Sequence, residues 1–360
     1  MTHRTLKLSA IALAFSAFAV QAHAADSVVI YGTIDAGVRA ATNQPTQTGT
    51  VFNKDSGTET SVISGGLHTS RIGFKGSEDL GSGLKAVFQL EAGLNIANGN
   101  TDADGILFNR VSHVGLVKGD QALYVGREYT TTYRLMSELD PLAFSAPSIN
   151  PNHEAASLND LAYFGNNLPG QTNARANSAI RYDGKIGRLN GSLQYGFGGS
   201  AGDSSEKSSY GAQATYDLGS VLIGAGAARM NGDVDNKISV YNVGAKWAYT
   251  NNLSLSATYT QQSADGGLLD GANRHVTSAG AFYTPSRVTY GLAFYDTRAS
   301  GNGVISGKQQ KLIGLASYNF TKRTSVYGTV DYAHNKDFFV PATTGEANSL
   351  GLTVGVNHSF

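Results

Sequence analysis

Three short constellations in this chain carry residue types that do chemistry, and each lacks the setting its chemistry needs. Gly198-Gly-Ser-Ala-Gly202 fits G-x-S-x-G, which presents a nucleophilic serine on a strand-to-helix turn. Here a polar, glycine-rich stretch and another strand pattern follow, so no helix backs the serine. Asp102-Ala-Asp-Gly105 matches the opening of a calcium loop, but the later bidentate Glu is missing. His68, His113, His153, His275, His334 and His358 show no H-E-x-x-H and no ligand spacing. His113 and His358 are read onto an outward face near strand ends, where interfacial or subunit contacts are expected. What remains to act on other molecules is fixed charge, and its effect depends on the elements that hold it.

Those elements are strands. In Leu350-Gly-Leu-Thr-Val-Gly-Val-Asn-His-Ser-Phe360 one face takes Leu350, Leu352, Val354, Val356, His358 and Phe360. The other takes Gly351, Thr353, Gly355, Asn357 and Ser359. The same alternation runs through Leu84 to Leu94, Tyr241 to Tyr249, Leu253 to Tyr259, Leu312 to Phe320 and Val326 to Tyr332. About sixteen such segments of roughly ten residues can be read, the length of a tilted strand that crosses a bilayer. Tight turns at 79–83, 118–120, 217–220, 250–252, 284–286 and 320–323 alternate with polar loops. The loops are read at 41–66, 97–107, 129–174, 199–206, 230–236, 263–272, 299–306 and 336–346. Tyr216, Tyr249, Tyr283, Tyr318, Phe320 and Phe360 stand where strands meet turns, as an aromatic girdle requires.

Arg4 and Lys7 precede an apolar run, Leu8 to Val20, and Ala22-His23-Ala24. This pattern predicts a signal peptide over 1–24, cleaved between Ala24 and Ala25, and a barrel over 25–360. The run is shorter than the roughly 20 apolar residues of a spanning helix. The expected export makes the absence of cysteine notable: a closed hydrogen-bonded sheet has to supply the stability. Glycine is abundant at 44 residues and Pro scarce at 7, with 18 Tyr and 15 Phe against one Trp. Lys and Arg balance Asp and Glu at 27 each, so nothing favours nucleic acid as a partner.

Several motifs then point to one family. Val29-Ile-Tyr-Gly-Thr-Ile-Asp-Ala-Gly37, Ser70-Arg-Ile-Gly-Phe-Lys-Gly76 and Ser77-Glu-Asp-Leu-Gly-Ser-Gly83 come first, followed by Phe108-Asn-Arg110, Val114-Gly-Leu116, Val125-Gly-Arg127 and the final Phe360. In this order they resemble Gram-negative general-diffusion porins, particularly the trimeric β-proteobacterial type. The resemblance implies an all-β fold: a sixteen-stranded antiparallel transmembrane barrel with short periplasmic turns, long extracellular loops and a third loop folded into the lumen. It further implies an outer-membrane homotrimer among lipid and lipopolysaccharide, delivered by the assembly machinery with Phe360 as signal. Ions and small hydrophilic solutes would pass by diffusion, with no reaction and no cofactor.

The family's constriction sets a basic wall against an acidic loop. Arg71 and Arg110 match its wall arginines, and Ile72 and Phe74 outward send Arg71 inward. Arg175 and Arg181 share the lumen parity, opposite Ile180 and Tyr182. The 129–174 loop carries Glu138, Asp140, Glu154 and Asp160 as acidic candidates. It lacks the Pro-Glu-Phe-Gly-Gly-Asp motif of enterobacterial porins and reads Ser137-Glu-Leu-Asp-Pro-Leu-Ala-Phe144 instead. Rival readings are an outer-membrane lipase, a structural or adhesive barrel, and a soluble periplasmic sandwich.

Overall fold

The computed structural model describes residues 27–48, 51–102, 105–156, 174–199, 206–232, 237–266, 270–301, 306–340 and 345–360. The expected cleavage site at Ala24 and Ala25, and Asp160 of the loop, lie outside these. The strands are β1 (Ser27–Thr48), β2 (Val51–Ser64), β3 (Arg71–Gly81), β4 (Leu84–Gly93), β5 (Val111–Lys118), β6 (Gln121–Tyr129), β7 (Arg175–Ile186), β8 (Leu189–Gly196) and β9 (Ser209–Asp217). They continue with β10 (Val221–Asn231), β11 (Lys237–Ala248), β12 (Leu253–Asp265), β13 (Asn273–Tyr283), β14 (Val288–Ser300), β15 (Gly307–Asn319), β16 (Thr324–Asp337) and β17 (Asn348–Ser359). Each pairs antiparallel with its neighbours, and β17 closes on β1 from Thr33↔Ser359 to Ala41↔Gly351.

The barrel has sixteen staves because β2 and β3 are two halves of one. The lower part of β1 pairs with β3 and the upper part with β2. This corrects the reading of 41–66 as a polar loop: most of it continues the first hairpin upward, from Ala36↔Ser64 to Thr48↔Val51. Between the halves, residues 65–70 turn inward and are held by Asp35. Its carboxylate accepts from Gly66 N at 2.9 Å, His68 N at 2.9 Å, Tyr327 Oη at 2.7 Å and Asn357 Nδ2 at 3.0 Å.

The alternation read from the sequence is the inside–outside alternation of the wall. Leu352, Val354 and Val356 are exposed on the outside, while Gly351, Thr353, Gly355 and Asn357 are buried on the inside. The six girdle aromatics are all exposed. Phe360 also seals the barrel, exchanging two backbone hydrogen bonds of 3.1 Å with Gly32. Among the described residues no helix is long and apolar enough to cross a membrane, and the strands do the crossing.

The third loop folds into the lumen along the inner wall. Helix α1 (Thr131–Leu139) starts at the N-cap Thr130, whose hydroxyl accepts from Tyr133 N at 3.4 Å. It ends at Asp140 because Pro141 forces the preceding residue into extended backbone. Leu135 and Leu139, one turn apart and fully buried, lie on a floor of strand glycines. A Cβ at Gly224 would stand 2.7 Å from Leu135 Cδ1 and 3.2 Å from Leu139 Cδ1, and one at Gly244 would stand 3.3 Å from Leu139 Cδ1. The wall is therefore smooth there so that a helix fits against it. Beyond α1, Leu142, Ala146, Ile149 and Ala155 pack against Val276, Ala293, Tyr295 and Ile313. Ala155 ends the short helix α2 (Pro151–Ala155).

Gly224→Leu is expected to push α1 toward the pore axis and lower single-channel conductance. Overpacking of this kind costs about 1–3 kcal/mol, and the helix can move where the hydrogen-bonded wall cannot. Conductance equal to the wild type, from a variant of equal β content, would mean that α1 does not rest on this floor.

Candidate functional site

Strands β3 to β7 bring most of the lumen's arginines onto one side. Arg71, the first residue of β3, faces inward with its side chain 31% exposed; Nη1 donates to the Thr69 carbonyl at 3.1 Å. Glu91 on β4 sits between two guanidinium groups, 2.6 Å from Arg110 Nε and 3.7 Å from Arg71 Nε. It also accepts from Tyr31 Oη at 2.8 Å. Arg110 is buried and lies 3.9 Å from Asp102.

A second cluster lies along β5 to β7. Glu128 bonds both Arg181 and His113. Arg181 reaches Asp183 at 3.3 Å and covers the Tyr124 ring at 4.4 Å. Arg175 Nη2 donates to Tyr129 Oη at 3.1 Å, its guanidinium 4.7 Å above that ring. Arg127 donates from Nε to the Asn109 carbonyl at 2.8 Å. The loop adds another cation: Arg134 of α1 grips Asp183 with two bonds, of 2.8 and 3.1 Å.

The loop face across from Arg71 is mostly neutral. Tyr129, Tyr133, Phe144 and His153 form one aromatic cluster, with centroid distances of 5.1 Å for Tyr129–Tyr133, 5.0 Å for Tyr133–Phe144 and 5.2 Å for Tyr133–His153. Tyr133 Oη and His153 Nε2 are 2.6 Å apart. Burial lowers the imidazole pKa to about 4, with Arg175 and Arg110 adding to that, so His153 is neutral at physiological pH. Together with His68, Arg71, Glu91, Arg110 and Arg134, these rings line a cavity of about 360 Å³.

The acidic candidates are distributed differently from expectation. Glu138 reaches the lumen near Arg134 and Lys246. Glu138 is exposed to the lumen, yet the desolvation it meets there raises its carboxyl above the usual range, although the two cations pull the other way. Asp140 does not face the passage: it is 1% exposed. Its carboxylate accepts from Leu142 N at 2.9 Å, Phe144 N at 3.0 Å, Asn150 Nδ2 at 3.0 Å and Asn152 Nδ2 at 2.9 Å. Glu154 falls in α2, its side chain outside the described residues.

The four predicted arginines all point inward, Arg71 and Arg110 meeting at Glu91. Sequence reasoning missed their carboxylate partners, and the signal differed for each. Glu91 alternates visibly with Leu90 and Ala92. Glu128 follows a register shift between Gly126 and Glu128 that breaks parity counting. The outward placement of His113 is corrected: Val114 and Leu116 are exposed, while the His113 side chain is 7% exposed and turned to Glu128. His358 is exposed on the outer face as expected.

A closed antiparallel barrel with an apolar outside, aromatic rims, a charged interior and an inward loop defines an outer-membrane channel. The Gram-negative porin profile matches residues 9–337, and the chain belongs to that family. It is a passive-diffusion porin of the outer membrane. The major outer membrane protein P.IB of Neisseria meningitidis serogroup B is 31% identical over 371 residues, covering 99% of this chain and 100% of that protein. Outer membrane porin protein 32 of Delftia acidovorans is 28% identical over 390 residues, covering 99% and 100%. Among solved structures, the anion-selective porin from Comamonas acidovorans superposes with a TM-score of 0.77 at 22% identity, covering 93% of this chain and 99% of that one. OmpF of Salmonella typhi superposes with a TM-score of 0.64 at 18% identity.

Proposed function

We propose that solutes pass between the arginine wall and the neutral aromatic face of the loop, and that the passage favours anions weakly. The charge census carries this reading. Among the described residues, Arg71, Arg110, Arg127, Arg134, Arg175, Arg181 and Lys246 stand around the passage against Glu91, Asp102, Glu128, Glu138 and Asp183. The loop itself contributes Arg134, where an acidic face was expected. Fixed charge at a narrow passage sets ion preference, and partial neutralisation by the carboxylates keeps that preference modest. The Comamonas porin of like fold is anion-selective, which points the same way.

No reaction is part of this proposal. The outward histidines His275, His334 and His358 bond Tyr259, Asn348 and Thr324, and a serine partner is missing from each of these pairs. The mature chain is read as 25–360, working as a homotrimer among lipid and lipopolysaccharide, with Phe360 presented to the assembly machinery.

Reversal potential of purified protein in a planar bilayer under a salt gradient tests the reading. The expected sign is that of chloride permeating faster than potassium; the opposite sign would overturn it. A pH series adds a second expectation. Because the Glu138 carboxyl is raised, it takes up its proton before an ordinary glutamate does as pH falls toward about 4.3. That proton removes a negative charge, so anion preference should rise on mild acidification. Glu138→Gln should show the higher preference already at neutral pH and lack that step; an identical step in both proteins would assign it elsewhere.

A further inference from the structure

We infer that the constriction holds a subsite for solutes that carry a carboxylate and a planar ring together. This deepens the reading of the arginine wall as the constriction and rests on it.

Two halves of such a site face one cavity. Arg71 has a single bond to a backbone carbonyl and a 3.7 Å approach to Glu91, with its side chain 31% exposed. A guanidinium has five N–H donors in a planar fork suited to a carboxylate, so Arg71 retains donors for a solute. The same cavity is lined by the loop rings of Tyr133, Phe144 and His153, with Tyr133 stacked on Tyr129 at the end of β6. Its volume of about 360 Å³ falls within the roughly 300–1,000 Å³ of small-molecule pockets.

The backbone points to the same ring. Ala143, Phe144 and Ala146 adopt φ of 51°, 59° and 54°, a region that L-residues with side chains enter at a cost, bulky ones above all. Strain of this sort persists where the surroundings over-determine it. Here the Asp140 carboxylate takes Phe144 N at 3.0 Å and Leu67 O takes Ala146 N at 3.0 Å. The result sets the Phe144 ring against Tyr133 and His153 on the cavity wall. Neither Pro141 nor the burial of Leu142 requires an aromatic at that position. Where a charged residue would set only the sign of a solute, a ring adds selection by shape.

Block of chloride current by benzoate and by cyclohexanecarboxylate separates the two contributions, since both carry one carboxylate but only benzoate is planar and aromatic. Ring stacking predicts that benzoate blocks the wild-type channel at a concentration lower by roughly two- to tenfold, although cyclohexanecarboxylate is the more apolar acid. Phe144→Leu keeps apolar bulk without the ring, and the ratio should fall to about one. Tyr133→Leu should lower it by a second route that leaves Phe144 and its backbone in place. Equal block by the two acids in the wild type, or a ratio that survives both variants, would overturn the subsite. Arg71→Gln distinguishes this from failure of the underlying reading. If it leaves both chloride preference and carboxylate block untouched, the arginine wall is not the constriction and the subsite falls with it.

Discussion

Asp140→Ala is expected to loosen the third loop from the inner wall, raising single-channel conductance and making it noisy, while the barrel stays folded. The carboxylate is the loop's main polar anchor. Burial pushes its pKa up, but the four N–H groups of Leu142, Phe144, Asn150 and Asn152 can only donate, so the pocket fits the ionised form. Asn152 passes the restraint on to the wall, donating to Thr258 Oγ1 at 3.1 Å and Ser278 Oγ at 2.9 Å. Each buried donor left unmatched costs about 1–3 kcal/mol. The apolar contacts of Leu135, Leu139, Leu142 and Ile149 remain, so the loop should fluctuate rather than leave. Asp140→Asn should not rescue it, because its amide turns donors toward donors. Conductance steps and current noise in bilayers, beside far-UV circular dichroism, check this. Quiet, wild-type conductance in Asp140→Ala would show that the apolar contacts alone hold the loop.

That anchor marks the limit of what the sequence carries. Strand faces and short turns were legible because both are local: period two follows from the pleat, and turn residues follow from allowed dihedrals. The upper half of the first hairpin was not, since Thr, Asn, Gly and Ser dominate it and give neither face a hydrophobic signature. Arginine parity was legible for Arg71 and Arg181, which lie on regular strands. His113 lies on the regular strand β5, where parity with the outward Val114 and Leu116 already sends it inward; only at Glu128 does the register shift between β6 and β7 defeat the count. Asp140 looked like a pore acid because its setting is non-local: Tyr295 Oη donates to it from β14 at 3.4 Å, and Asn152 ties its loop donors to β12 and β13. The strand glycines Gly224 and Gly244 held a readable sign of close approach, but what approaches, α1, is defined only by the closed barrel.

Arg71→Glu is expected to reverse the ion preference from anion to cation. Of the wall arginines it is the one suited to this test: its side chain is 31% exposed against 9% for Arg110 and 8% for Arg181. Replacing Arg110 would leave Glu91 buried without its 2.6 Å partner, so lost stability would mix with altered selectivity. Arg71 stands farther from Glu91, and Arg110 remains to neutralise that carboxylate. The exchange shifts the local charge by two, turning a weak arginine surplus into balance and placing a carboxylate at the most accessible point. For an ion about 5 Å away, Coulomb's law gives roughly 1–3 kcal/mol per unit charge between water and a protein surface. Two units therefore exceed the 1.4 kcal/mol of a tenfold permeability change, more than enough to invert a modest preference. The reversal should be largest in dilute salt and fade toward 1 M, where the Debye length shrinks to about 3 Å. A permeability ratio that keeps its sign at low ionic strength would place the selecting charge elsewhere, with Arg134 and Arg175 next in line because each is partly exposed to the same lumen.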